Sequence, residues 1–138
     1  MGQGKRRVLL VDDEASIVKT IGKRLEVAGY DVIIAVDGQE AIEKTYRDQP
    51  DILVLDLVLP KLSGLEVCET LKRDPRSQHI PIIIFTGKGE EKHEELCRRR
   101  GADAYLTQPR ASMELVKQIE LLLNKAPRPD QGPDSSAH

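Results

Sequence analysis

Five short runs of apolar, mostly β-branched residues recur along the chain, at 8–11 (VLLV), 32–36 (VIIAV), 52–55 (ILVL), 82–85 (IIIF) and, more weakly, 104–106 (AYL). Most are apolar without a break, where a strand with one wet face would alternate. Such runs belong to strands covered on both faces, the kind that build parallel sheets. Between them the spacing changes to that of helices. Ile17, Ile21, Leu25 and Ala28 fall on one helix face, and Gly29 follows as a stop. Ala41, Ile42 and Thr45 mark a second helix opened by Asp37-Gly38; Leu65, Cys68 and Leu71 mark a third, ending before Asp74-Pro75. A charged fourth helix is expected over 90–100, closed by Gly101. Ser112 is expected to cap a fifth, with Leu115, Ile119, Leu122 and Leu123 facing inward. Strand and helix thus alternate five times through short connections, which specifies an α/β fold with a doubly wound five-stranded parallel sheet.

The 138 residues suit one domain, expected over 1–125. Residues 126–138 (APRPDQGPDSSAH) are rich in Pro, Gly, Asp and Ser, and are expected to form a disordered tail or the start of a linker. A net charge of −2 gives no electrostatic case for direct nucleic-acid binding. The runs Lys5-Arg6-Arg7 and Arg98-Arg99-Arg100 read as solvated surface. No apolar run approaches membrane-spanning length. The N-terminal basic residues precede too few apolar ones for a secretory core, and Arg6 stands where a myristoylation signal has Ser or Thr. Cys68 and Cys97 form no Cys-x-x-Cys pair and read as free intracellular thiols. A cytoplasmic protein without a membrane partner is expected.

The polar residues at strand ends carry the chemistry. The first strand runs straight into Asp12, Asp13 and Glu14; Asp56 follows the third in "ILVLDLVLP" and Thr86 the fourth in "IIIFTG". In a parallel sheet these positions share one edge, where sites form. Clustered carboxylates repel and are costly to desolvate unless a positive charge joins them. Hard oxygen donors suit Mg²⁺, with water and a phosphate completing its shell. A carboxylate beside Mg²⁺ can attack phosphorus to give an aspartyl phosphate, with Thr86 donating to a phosphoryl oxygen. His93 and Cys97 are four apart, but two ligands do not make a zinc site. The chain has neither a Gly-x-Ser-x-Gly elbow nor a Walker-type loop.

Taken with their order and spacing, "LLVDDE", "LDLVLPKLSG", "IIIFTG" and "GADAYLTQP" closely resemble the receiver domain of bacterial two-component response regulators, from about residue 7 to 124. That resemblance implies a flavodoxin-like (β/α)5 fold with strand order 2-1-3-4-5. It implies Asp56 as phosphoacceptor, with Asp12, Asp13, Asp56 and the backbone carbonyl of Val58 as Mg²⁺ ligands, and Thr86 with Tyr105 as a switch pair. Gly64 matches the glycine of the loop after the phosphoacceptor strand. The implied partners are a sensor histidine kinase or a histidine phosphotransfer protein docking near the first helix. A downstream protein would be met by the face of the fourth helix, fifth strand and fifth helix. The implied role is phosphorelay signal transduction, not enzymatic turnover. Phosphatases of the haloacid dehalogenase type use the same chemistry, but carry Asp-x-Asp after the first strand and a cap domain.

One position departs from the family. Receivers carry Lys-Pro after the fifth strand, and this chain has Gln108-Pro109 followed by Arg110. A glutamine amide donates a hydrogen bond without charge. A unit charge pair at roughly 4 Å is worth on the order of 4 kcal/mol at an effective dielectric near 20. Lys88 is the candidate compensating cation, and Arg110 a weaker one. Gln108 also leaves open a phosphorylation-independent, receiver-like interaction module. By resemblance the Gln108–Pro109 bond is expected to be cis.

Overall fold

A computed structural model describes residues 4–87, 91–107 and 112–125. The elements alternate from end to end: β1 (Arg7–Val11), α1 (Ala15–Val27), β2 (Asp31–Ala35), α2 (Gly38–Asp48), β3 (Ile52–Leu55), α3 (Gly64–Arg73), β4 (Ile82–Thr86), α4 (Glu91–Arg99), β5 (Ala104–Thr107) and α5 (Ser112–Lys125). The strands pair in parallel in the order β2-β1-β3-β4-β5. This is the expected doubly wound, flavodoxin-like sheet.

Each unbroken apolar run serves two cores because successive side chains leave a strand on opposite faces. Leu9, Val11, Leu53, Leu55, Ile82 and Ile84 pack with Ala41 of α2, Val67, Cys68 and Leu71 of α3, and Cys97 of α4. Val8, Leu10, Ile52, Val54, Ile83 and Phe85 pack on the other face with Ile21 and Leu25 of α1 and Leu115, Ile119 and Leu123 of α5. Burying each large aliphatic side chain contributes about 1.5–3 kcal/mol, so alternation within the runs dictates where helices must lie. β2 differs: as an edge strand it is only half-buried along most of its length.

Two boundary expectations are corrected. Ala28 does not share the buried face of α1; the helix ends at Val27 and Ala28 is exposed at its C-cap. Gly29 (φ +103°) then reverses the chain, bringing the Tyr30 N–H to the Leu25 carbonyl at 3.1 Å. Ser112 is the first residue of α5 and not its cap. Cys68 and Cys97 are buried free thiols. The arginine run at the end of α4 is solvated and ion-paired: Arg98 with Glu94, Arg99 with Glu95 and Arg100 with Glu69, at 2.8–3.0 Å. Among the described residues no helix is long and apolar enough to cross a membrane.

Candidate functional site

The chain leaves β1 toward β2 on one side and returns for β3 on the other, so a crevice opens at the carboxyl ends of β1 and β3. Backbone bonds extend the ladder by one residue at this rim. The Asp12 N–H donates to the Ala35 carbonyl at 3.1 Å, and the Asp56 N–H to the Val11 carbonyl at 3.0 Å. Both aspartates are thereby fixed at strand ends. The carboxylates of Asp12, Asp13 and Asp56 each present an oxygen within 4.8 Å of the others. Asp12 is buried, Asp56 half-buried and Asp13 exposed, so the cluster opens to solvent on one side.

Its electrostatics follow from this burial. Desolvation raises the Asp12 carboxyl to about 6, against the pull of the Glu14 N–H, while Asp56 and Asp13 add repulsion. That N–H donates to Asp12 Oδ1 at 2.9 Å. Desolvation also raises Asp56, opposed by the Thr86 hydroxyl and by the backbone N–H groups of Val58 and Leu57. α1 begins directly after Glu14, so the positive end of its dipole lies beside the cluster. The donor set is all oxygen and carries excess negative charge, and it fits a hard divalent cation such as Mg²⁺.

The loop after β3 is held from two sides. The N–H of Gly64 donates to the Leu57 carbonyl at 2.9 Å, and α3 starts there with a capping box: Ser63 Oγ accepts from the Glu66 N–H, and Glu66 returns to the Ser63 N–H. A side chain at position 64 would run into the backbone of Asp56. Across the loop, Lys61 adopts a left-handed backbone (φ 70°), and its ammonium lies 3.5 Å from Asp37 at the start of α2.

The structure thus places Asp12, Asp13 and Asp56 together, with the Thr86 hydroxyl bonded to Asp56. Thr86 closes β4 and is buried. Tyr105 lies on β5 opposite Ile84, 9% exposed, with its ring in the core shared by α2, α3 and α4. The Val58 side chain is exposed, and its backbone meets Asp56 through the N–H noted above. Lys88, Gln108, Pro109 and Arg110 lie outside the described residues, and with them the Gln108–Pro109 bond. Sequence reasoning missed the Leu57 and Val58 amide donors, which no side-chain pattern encodes. It also missed the Ser63–Glu66 capping box, which the S-x-x-E spacing does encode.

The comparisons agree with this geometry. The chain is 41% identical over 121 residues to the alkaline phosphatase synthesis transcriptional regulatory protein PhoP of Bacillus subtilis, covering 88% of this chain and 50% of that one. It spans about half the length of the curated relatives it matches. Among solved structures, a CheY-like response regulator receiver domain protein from Methanospirillum hungatei superposes with a TM-score of 0.82 at 27% identity, covering 88% of this chain and 96% of that one. The receiver domain of the sensor histidine kinase PA1611 from Pseudomonas aeruginosa, which holds a magnesium ion in its active-site cleft, gives 0.80 at 26%, covering 87% and 98%. Residues 8–120 match the response regulator receiver domain family. The chain belongs to that family, the receiver domains of two-component phosphorelay signalling.

Proposed function

We propose that this receiver takes a phosphoryl group on Asp56 from the phosphohistidine of a sensor histidine kinase or histidine phosphotransfer protein docked near α1. The observation that carries this reading is the convergence of three carboxylates with the Thr86 hydroxyl at the switch point of the sheet. Asp12, Asp13, Asp56 and the Val58 carbonyl would hold Mg²⁺, which when bound neutralises charge between the acceptor carboxylate and the phosphoryl oxygens. An Asp56 carboxylate oxygen attacks phosphorus; the P–N bond breaks and its electron pair returns to the imidazole nitrogen. The Leu57 and Val58 amides orient the acceptor, and Thr86 turns its hydroxyl from the carboxylate to a phosphoryl oxygen. Movement of Thr86 and Tyr105 then changes the face of α4, β5 and α5 offered to a downstream protein.

Acetyl phosphate with Mg²⁺, followed by intact mass, tests the acceptor. Wild type is expected to gain one phosphoryl mass and Asp56→Asn none. A wild type that stays unlabelled overturns the reading.

Gln108→Lys tests the departure from the family. Restoring a cation where negative charge gathers is expected to strengthen the coupling between phosphorylation and the NMR shifts around Tyr105, by about 1 kcal/mol after screening. If Lys88 supplies that charge already, Lys88→Ala slows phosphorylation and Gln108→Lys adds little. Labelling of Gln108→Lys but not of wild type would instead favour the phosphorylation-independent module. Identical behaviour of Gln108→Lys and wild type, with Lys88→Ala silent as well, would show that a neutral amide suffices at this position.

A further inference from the structure

The β2 edge of the sheet is not bare. Alternation along β2 turns the backbone groups of Asp31, Ile33 and Ala35 toward β1. The Asp31 N–H donates to the Arg6 carbonyl at 3.0 Å, and the Ala35 carbonyl accepts from the Asp12 N–H at 3.1 Å. The groups of Val32, Ile34 and Val36 therefore point away from the sheet. Two of these outward groups are occupied by side chains of α2. Glu40 Oε1 accepts from the Val36 N–H at 2.7 Å, and Lys44 Nζ donates to the Ile34 carbonyl. The two side chains are joined to each other by an ion pair at 3.1 Å, one helical turn apart.

This arrangement copies a strand. In a parallel ladder, one residue of an added strand gives its N–H to the carbonyl of residue i and takes the N–H of residue i+2 on its own carbonyl. Ile34 O and Val36 N–H are such a pair, and Lys44 and Glu40 stand in for the missing donor and acceptor. Helix capping alone explains less. Asp37 already accepts from the Glu40 N–H at 2.8 Å, and a capping role accounts for a glutamate at that position. It does not account for Lys44, which lies mid-helix and reaches ten residues back to a strand carbonyl.

The edge needs such cover. Between Asp31 and Asp37 the sequence VIIAV carries no charge, no proline and no glycine. An uncharged β-branched edge pairs readily with its own kind. We propose that the Glu40–Lys44 pair is an edge lock, which keeps the β2 edge of a second copy of this chain from adding to the sheet. Two copies related by a two-fold axis would set their β2 strands antiparallel, each using the outward groups of Val32, Ile34 and Val36. The Ile34 carbonyl and Val36 N–H must be released before that pairing forms. The Lys44 side chain is 21% exposed and that of Glu40 33%, so salt reaches the pair and weakens it.

The test uses the full chain, with amide exchange by NMR and mass by light scattering. In wild type the Val36 amide exchanges about tenfold more slowly than the outward Val32 amide. In Glu40→Ala/Lys44→Ala that protection is lost and mass rises toward a dimer with concentration. Lys44→Ala alone leaves the start of α2 intact and still raises association above wild type. Adding Val36→Pro, which deletes the outward donor, returns the double variant to wild-type mass. Folded variants with the circular dichroism of wild type and no added association overturn the lock, as does association that survives Val36→Pro.

Discussion

Gly64→Ala is expected to destabilise the domain by about 2–4 kcal/mol and to slow Asp56 phosphorylation at least tenfold. The added Cβ would lie against the Asp56 carbonyl oxygen, well inside contact, with Leu57 Cα at 2.9 Å and the Asp56 carbonyl carbon at 3.0 Å. All of these are backbone atoms, so no side-chain rotamer relieves the clash. The strand cannot retreat without breaking the bond from the Asp56 N–H to Val11, and α3 cannot retreat without losing the Gly64 N–H bond to Leu57. The cost is one of space, because φ at Gly64 lies outside the left-handed range. Gly22→Ala is the matched control: nothing lies within 4 Å of its Cβ, and alanine in a helix interior should add about 0.5–1 kcal/mol. Urea unfolding of both variants, with acetyl-phosphate labelling, measures the effect. A Gly64→Ala protein as stable as wild type would show that α3 slides freely over the loop after β3.

The order of strands and helices was legible because each unbroken apolar run is too short for a helix and too uniform for a half-wet strand. The run at 32–36 shows where that legibility ends. By its own pattern VIIAV reads as central as ILVL, and only the family resemblance, with its order 2-1-3-4-5, puts β2 at an edge, since being central depends on which neighbours come to both sides. Glu40 and Lys44, which reach that edge from α2, stand at the i,i+4 spacing of an ordinary solvated helix pair, so spacing alone does not single them out. Ala28 fitted the periodicity of α1, but Gly29 ends the helix one turn-step too early for that residue to be buried. At the site, carboxylates following apolar strands were readable from chain position alone. Their unequal burial was not, because it depends on how the surrounding elements pack at the rim, which leaves Asp12 buried, Asp56 half-buried and Asp13 in water.

That unequal burial sets the other large expected effect. Asp12 is 2% exposed, and burial raises its carboxyl to about 6. A carboxyl whose folded value lies above its unfolded one costs stability once pH exceeds both, so the full cost is present at pH 7. At about 1.4 kcal/mol per pH unit, and discounted for solvent entering past Asp13, that cost is about 1–2 kcal/mol. Asp12→Asn removes the charge and keeps an oxygen to accept the Glu14 N–H. Without divalent cations the variant is therefore expected to melt about 3–8 °C above wild type. Mg²⁺ should reverse the order. Bound at a hundredfold excess over its dissociation constant, it adds about 2.7 kcal/mol to wild type, while the variant, one carboxylate short, gains almost nothing. Thermal melts of both proteins with and without Mg²⁺ measure the crossing. If Asp12→Asn is the less stable protein in EDTA, the Glu14 amide outweighs the burial cost. If Mg²⁺ stabilises both equally, the ion is held without Asp12, and the metal site proposed at the end of β1 is wrong.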